Sequence, residues 1–215
     1  MSCTSLIPVP SQLTSPNVVL TPLTKADLPT LWALSELNEG EIFRWLPYGP
    51  FHSVEEYVAW GERVLIGDGT LEAFVMRDPT NDDEIVGHIA LMNIVPEHRR
   101  LEIGHIWLAP LERLRRRGLA SEAAFALIRY AFEMTPEKGG FTVQRVEWKA
   151  HSENVPSHKT AESVGFVREG VLRSHMWVRG KKRDTVYFSI TIEEWNNVRA
   201  KGYARFGMAE DHKLQ

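Results

Sequence analysis

Three consecutive arginines, Arg115, Arg116 and Arg117, run straight into Gly118-Leu119-Ala120-Ser121, and an amphipathic stretch follows at once. A helix start leaves its first backbone N–H groups unpaired and carries the positive end of the helix dipole, so it suits a phosphate. In the Arg115-x-x-Gly118-x-Ala120 spacing, the glycine lets the backbone approach an anion closely and the alanine keeps side chains out of its way. A solvated turn is the competing reading of the same arginines. Glu102 lies just ahead, at the start of a strand-like apolar run, and Asn154-x-x-Ser157 has the residue types of a helix cap with a hydroxyl one turn further in. His88, His98, His105, His151 and His158 lack zinc-type spacing and have no cysteine partners, so no metal site is expected.

Hydrophobic periodicity predicts the elements that must carry these residues. A short strand over 18–23 leads to a helix from Thr24 and Asp27 to about 37. An aromatic loop over 41–51, EIFRWLPYGPF, is broken by Pro47, Gly49 and Pro50, and a capping box at Ser53 and Glu56 opens the next helix. Strands follow over 71–77, 85–95 and 102–109, the first pair joined by a turn over 78–83. The helix over 121–133 has Ala124, Leu127, Ile128 and Ala131 on one face. Beyond it come a strand over 143–150, a short helix over 156–164 stopped by Gly165, paired strands over 165–178 and 185–192, and a helix over 193–201. Such interleaving predicts one mixed α/β domain with helices flanking a single sheet, and three strands in a row before the basic turn fit a Rossmann order poorly. Expected boundaries are a flexible leader over 1–17, the domain over 18–200 and a polar tail over 201–215.

A net charge of −3 argues against nucleic acid as a partner. No apolar run has the length of a membrane span, and the leader lacks the marks of a targeting segment, so no membrane is expected. Cys3 is the single cysteine, which excludes an internal disulfide and favours a reducing, cytoplasmic setting.

Taken in order, Glu102-Ile103-Gly104, Arg115-x-x-Gly118-x-Ala120-Ser121-Glu122-Ala123, Asn154-x-x-Ser157 and Gly165-Phe166-Val167-Arg168-Glu169-Gly170-Val171-Leu172-Arg173 resemble the GNAT N-acetyltransferase superfamily, in its RimJ/RimL-like branch. The segments WLPYGPF, RVEWK and RDTVYFS add to the likeness, which spans roughly Val18 to Trp195. The resemblance implies a largely antiparallel sheet of six or seven strands whose two central parallel strands, 102–109 and 143–150, splay apart. It also implies acetyl-CoA as cosubstrate, with the diphosphate on the amides of Arg116, Arg117, Gly118, Leu119, Ala120 and Ser121. Arg115, Arg116 and Arg117 would add charge, Ile106, Trp107 and Leu108 would offer a free strand edge to the pantetheine arm, and Asn154, Ser157 and Lys159 would contact the cosubstrate. Many members carry a tyrosine at the position of Ala161 to protonate the leaving thiolate, so that role falls to another group.

On this reading Glu102 is the general base, against the alternative of a strand-end glutamate paired with Arg99, Arg100 or Arg145. Ser157 donates a hydrogen bond toward the CoA sulfur, against the alternative of a first-turn serine bonded to backbone or Asn154. Lys159 has a surface alternative. Trp45, Tyr48, Phe51 and Trp107 line the acceptor pocket unless they are core. Asp184 and Tyr187 are weaker candidates: Asp184 has the alternative of pairing with Arg173 or Arg183, and Tyr187 that of a residue alternating along a strand. The expected activity is direct acetyl transfer to a primary amine, on a small molecule or a protein N-terminus, with a small cationic amine slightly favoured by the acidic balance. A CoA-binding regulator without turnover is the alternative, and a homodimer is left open.

Overall fold

The computed structural model describes residues 6–208. Within them lie eight strands: β1 (Leu13–Thr14), β2 (Val19–Pro22), β3 (Glu72–Asp78), β4 (Glu84–Val95), β5 (Arg100–Leu108), β6 (Arg145–His151), β7 (Val167–Val178) and β8 (Lys181–Thr191). They form one sheet in the order β1-β2-β3-β4-β5-β6-β8-β7. Every neighbouring pair is antiparallel except β5 and β6. The strand beyond the expected six or seven is β1, a two-residue edge piece formed from residues of the expected leader.

Five α-helices accompany the sheet: α1 (Leu28–Ser35), α2 (Val54–Gly61), α3 (Leu119–Glu133), α4 (Val155–Ser163) and α5 (Ile192–Phe206). Their starts follow from the caps. Ser53 accepts a hydrogen bond from the Glu56 amide before α2, and Thr191 and Glu194 form a capping box before α5. Buried residues run all round α3, so it lies inside the protein and not on its rim. Phe125 and Phe132 of α3 pack on Trp195 at centroid distances of 6.1 and 5.0 Å, and Ser121 meets Ser163 of α4 at 3.1 Å. Trp148 and Phe188, on neighbouring strands, contact Ser157 and His158 of α4, which fixes α4 against that face of the sheet.

Both expected ends move. The tail expected from 201 is instead the end of α5, with Tyr203 buried and Phe206 packed at a tilt against Phe125 at 5.4 Å. Its sequence, KGYARF, is too polar to announce a helix; tertiary packing overrides the local signal. At the other end, Ile7, Leu13 and Ser15 are buried, and Asn17 donates twice to the Glu122 carboxylate of α3, at 2.8 and 3.1 Å. The described part of the leader is therefore anchored. Cys3 and residues 209–215 lie outside the described residues.

Gly202 is what allows α5 to lie so close to α3: a Cβ built there would stand 2.0 Å from Cε2 of Phe125. Gly202→Ala is expected to destabilise the protein by about 1–3 kcal/mol through overpacking, despite alanine's better helix propensity. Urea unfolding measures this, and an unchanged or raised midpoint contradicts the packing described.

Candidate active site

The parallel pair holds register only from Arg100 opposite Arg145 to Ile103 opposite Trp148. Beyond those four rungs β5 continues to Leu108 and β6 to His151 without pairing to each other. On its far side β5 stays tied to β4, but through a bulge: the register slips between His88 and Ala90, and His105 takes a left-handed φ of 49°. A bulge bends and twists a strand locally, which turns β5 away from β6. The fork encloses a cavity of about 560 Å³. Ile106, Trp107 and Leu108 line it from β5, Lys149 and Ala150 from β6, and Asn154 and Ser157 from the cap and first turn of α4.

At one mouth stands the start of α3. Gly118 is its N-cap with φ 71°, and a Cβ built there would meet nothing within 4 Å, so this corner is open space. The Glu122 amide donates to the Gly118 carbonyl at 3.0 Å, while Leu119, Ala120 and Ser121 occupy the first turn, whose amides a helix leaves without internal acceptors. Ala120 is part of the cavity wall. The three arginines part company here. Arg117 turns away to chelate the fully buried Asp78, also bonding Thr80 at 3.1 Å, and Arg113 joins Asp78 at 3.1 Å. Beside it, the Arg117 guanidinium holds the Asp78 carboxyl below the usual carboxylate range. Arg115 has an exposed pair with Glu112 at 3.0 Å, a contact of little worth in water, and Arg116 makes no ion pair among the described residues.

Asn154 caps α4 by accepting from the Ser157 amide at 3.2 Å, and the Ser157 hydroxyl oxygen accepts from Trp148 Nε1 at 3.0 Å. The hydroxyl proton is thus left for another acceptor. Lys159 is exposed on α4 and is not in the cavity wall; Ala161 is buried.

Glu102 is buried where the fork divides. Its Oε2 accepts from Asn93 Nδ2 at 2.7 Å and from Lys149 Nζ at 2.6 Å, while Oε1 makes no hydrogen bond among the described residues. The expected partners Arg100 and Arg145 instead reach Glu147, at 3.5 and 2.9 Å, and Lys149 also meets Glu147 at 3.2 Å. Burial works against the Lys149 charge, but Glu102 and then Glu147 outweigh it and raise its pKa.

At the far end, Tyr48 is stacked between Trp60 and His105, at 4.4 and 5.1 Å, with its hydroxyl buried and unpartnered. Burial, and secondarily Tyr57, push that phenol well above its ordinary pKa. Trp45 leans on His151 at 5.0 Å, and both Trp45 and Tyr48 line the cavity. Phe51 does not: it sits in the core against Phe43, Tyr57 and Trp60, because the loop around Pro50 folds that ring inward. Trp107 is buried edge-on to His88 at 5.1 Å and still forms part of the wall. Asp184 is structural, accepting from the Ser174 amide at 2.6 Å, and Tyr187 lies under Lys149 Nζ at 4.9 Å. Arg179, at the tip of the β7–β8 hairpin, spreads its guanidinium over the carbonyls of Phe43, Arg44, Leu46, Tyr48 and Gly49.

Asn93, Lys149, His175 and Arg183 line the cavity without having been singled out from sequence. Alternation offered a signal for two of them: Arg145, Glu147, Lys149 and His151 share one face of β6, and Arg183, Thr185 and Tyr187 share the adjoining face of β8. Asn93 owes its place to a left-handed φ of 48° at a register slip, which no pattern announces.

A parallel pair forked over a cavity, with a glycine-started helix at its mouth, defines an acetyltransferase of the GNAT class. Residues 17–167 match the family model described as "Acetyltransferase (GNAT) domain", and the chain belongs to that family. YdaF of Bacillus subtilis (strain 168), provisionally described as a ribosomal N-acetyltransferase, is 33% identical over 114 residues, 53% of this chain and 57% of that protein's length. Among solved structures, a GCN5-related N-acetyltransferase from Brucella melitensis superposes with a TM-score of 0.81 at 30% identity, covering 97% of this chain and 91% of that one. Mycobacterium smegmatis RimJ in complex with CoA-disulfide superposes with a TM-score of 0.72 at 25% identity, covering 90% of each. Among the described residues no cluster suited to a metal ion is present, and no helix is long and apolar enough to cross a membrane.

Two buried imidazoles tie this site to acid stability. Burial pushes His88 down to about 3 and His105 to about 4, so both are neutral when folded. In the unfolded chain they regain a pKa near 6.5 and take up protons that the folded state refuses. Stability is therefore full above about pH 6.5 and falls as pH drops from there toward 4, which thermal melts across that range read as a Tm lower by several degrees. A flat profile contradicts the burial of these rings.

Proposed function

We propose that this protein moves an acetyl group from acetyl-CoA to a primary amine, by direct transfer with both substrates bound. The single observation that carries the reading is the continuity of the fork: one cavity runs from Ala120 at the start of α3, past Ser157, to Glu102, Trp45 and Tyr48. The open corner at Gly118 fits a diphosphate, since neither a side chain nor a Cβ contact closes it. Its holders are the amides of Leu119, Ala120 and Ser121, with charge from Arg115 and Arg116. Arg117 is committed to Asp78 and shapes the turn instead. When bound, acetyl-CoA supplies an acyl group activated as a thioester.

The unpaired reach of β5 from Ile106 to Leu108 offers backbone groups to the pantetheine arm and a donor to the thioester oxygen, an effect worth about 3 kcal/mol when preorganised. Ser157 directs its free hydroxyl proton at the departing sulfur, and Asn154 orients Ser157 through its amide. Oε1 of Glu102 takes the proton of the incoming amine, directly or through water. Lys149 and Asn93 hold the other oxygen and so fix which way the carboxylate faces. Trp45, Tyr48 and Trp107 form the apolar wall against which the acceptor lies. Phe51 and Lys159 have no part in this reading.

Two measurements test it. Glu102→Gln is expected to lower kcat by about 10²–10⁴-fold while acetyl-CoA affinity is kept, and normal turnover removes Glu102 as base. Arg115→Ala combined with Arg116→Ala is expected to weaken acetyl-CoA binding about tenfold, more at low salt than at high. Calorimetry that finds no acetyl-CoA binding to the intact protein sinks the whole reading. Tight binding without acetylation across a broad amine panel replaces it with a CoA-binding regulator.

A further inference from the structure

The acceptor end of the cavity contains a charge without a counter-charge. Arg183 is only 8% exposed, and two of its three guanidinium nitrogens, Nε and Nη1, are buried with no hydrogen-bond partner. It makes no ion pair among the described residues. An unpaired buried cation is costly, and an arginine is retained in such a place most simply when something else brings the anion. The protein's own acids do not serve. Asp184, next in sequence, points to the opposite side of β8 and accepts from Ser174, and Glu102 is held by Asn93 and Lys149. Burial, and then the neighbouring Arg179, depress the Arg183 pKa, whereas Glu102 raises it from a distance.

The surroundings have the same sign. Arg44, Arg179, Lys181 and Lys182 line a second hollow of about 400 Å³ that shares Arg183 with the main cavity, and Glu153 is the acid among its walls. The chain is acidic overall, so this end is a local reversal of charge. An acceptor bearing extra positive charge, favoured by the total charge alone, meets repulsion here. A planar carboxylate matches the guanidinium fork in shape as well as sign.

We infer that the acceptor is a primary amine that also bears a carboxylate, the amine facing Glu102 and the carboxylate paired with Arg183. This rests on the acetyl-transfer reading and adds the substrate class to it. Lys149, bonded to Glu102, stands opposite Tyr187, and Arg183 is four residues further along β8. That is about 13 Å of strand, shortened by the reach of both side chains, so amine and carboxylate are separated by several bonds. Trp45 and Tyr48 supply the apolar wall between them. The carboxylate comes either from a small amino acid or from an acidic side chain near a peptide N-terminus; the chemistry at Arg183 is shared.

The test follows acetyl-CoA-dependent release of CoA thiol with four sets of acceptors. These are ω-amino acids from glycine to 6-aminohexanoate, n-alkylamines of matching length, α,ω-diamines, and peptide amides with Glu or Gln near the N-terminus. The expected result is a preference of about thirtyfold or more in kcat/KM for carboxylate-bearing members, over their neutral and cationic counterparts. Success among the amino acids or among the Glu peptides identifies the source. Arg183→Gln is expected to erase the preference through KM, Arg183→Lys to restore part of it, and both to bind acetyl-CoA as before. Equal or better acetylation of alkylamines or diamines by the intact protein overturns the inference, and this arm needs no variant to fold. So does a preference that survives in Arg183→Gln, or a loss of acetyl-CoA affinity in that variant, which assigns Arg183 to the cosubstrate. Acetyl-CoA binding without turnover of any carboxylate-bearing amine overturns it too, whereas failure to bind acetyl-CoA at all refutes the broader reading first.

Discussion

Everything at the centre of this protein depends on a hydrogen-bond ladder that stops early. A parallel pair left to itself continues for as long as both strands last, because each extra rung satisfies backbone groups that are otherwise left without partners. Here β5 and β6 part after four rungs, while antiparallel neighbours hold each of them firmly on the outer side. The bulge at His105 supplies the twist, and Trp148, packed against Phe166 and bonded to Ser157, keeps β6 on its own course. The backbone groups freed inside the fork are a standing demand for a partner that lies along them.

Charge organises the face of the sheet on which the fork opens. Glu102 and Glu147 lie between Arg100, Arg145 and Lys149, and Arg145 continues to Glu169, so the ion pairs form a connected chain. Such a chain is costly to desolvate and adds little stability compared with apolar packing, but it fixes orientation strictly. The strict orientation matters at Glu102, where it leaves one oxygen committed and the other turned out. Removing Lys149 would leave a buried carboxylate uncompensated, so the geometry of Glu102 cannot be separated from the sheet register that sets Lys149 beside it.

Much of this was legible in the sequence, and for identifiable reasons. Caps at Thr24, Ser53 and Asn154 and the apolar runs along β3 to β5 announce elements through local rules, and these hold. The glycine and alanine of the basic turn mark backbone that can be approached closely, and the space beside Gly118 is open. Fates decided by distant partners were not legible. Arg117 looks like its two neighbours until Asp78, far away in sequence, claims it. Phe51 shares a loop with Trp45 and Tyr48, yet a ring cluster on α2 draws it inward. Asn93 and His105 depend on backbone slips that residue identity does not encode, and the end of α5 depends on a gap beside Phe125.

The fan of bonds from Arg179 couples two parts of the chain that are remote in sequence. Five carbonyls of the aromatic loop converge on one guanidinium carried by the hairpin, so loop and hairpin are tied into one mechanical unit. Neither half can swing outward to admit a bulkier guest unless that knot is untied or the long strands β7 and β8 bend along with it. On the proposed reading, in which the acceptor lies against Trp45 and Tyr48, the breadth of acceptor choice follows from the stiffness of a two-stranded ribbon, a property spread along its whole length and not confined to the residues that touch the guest.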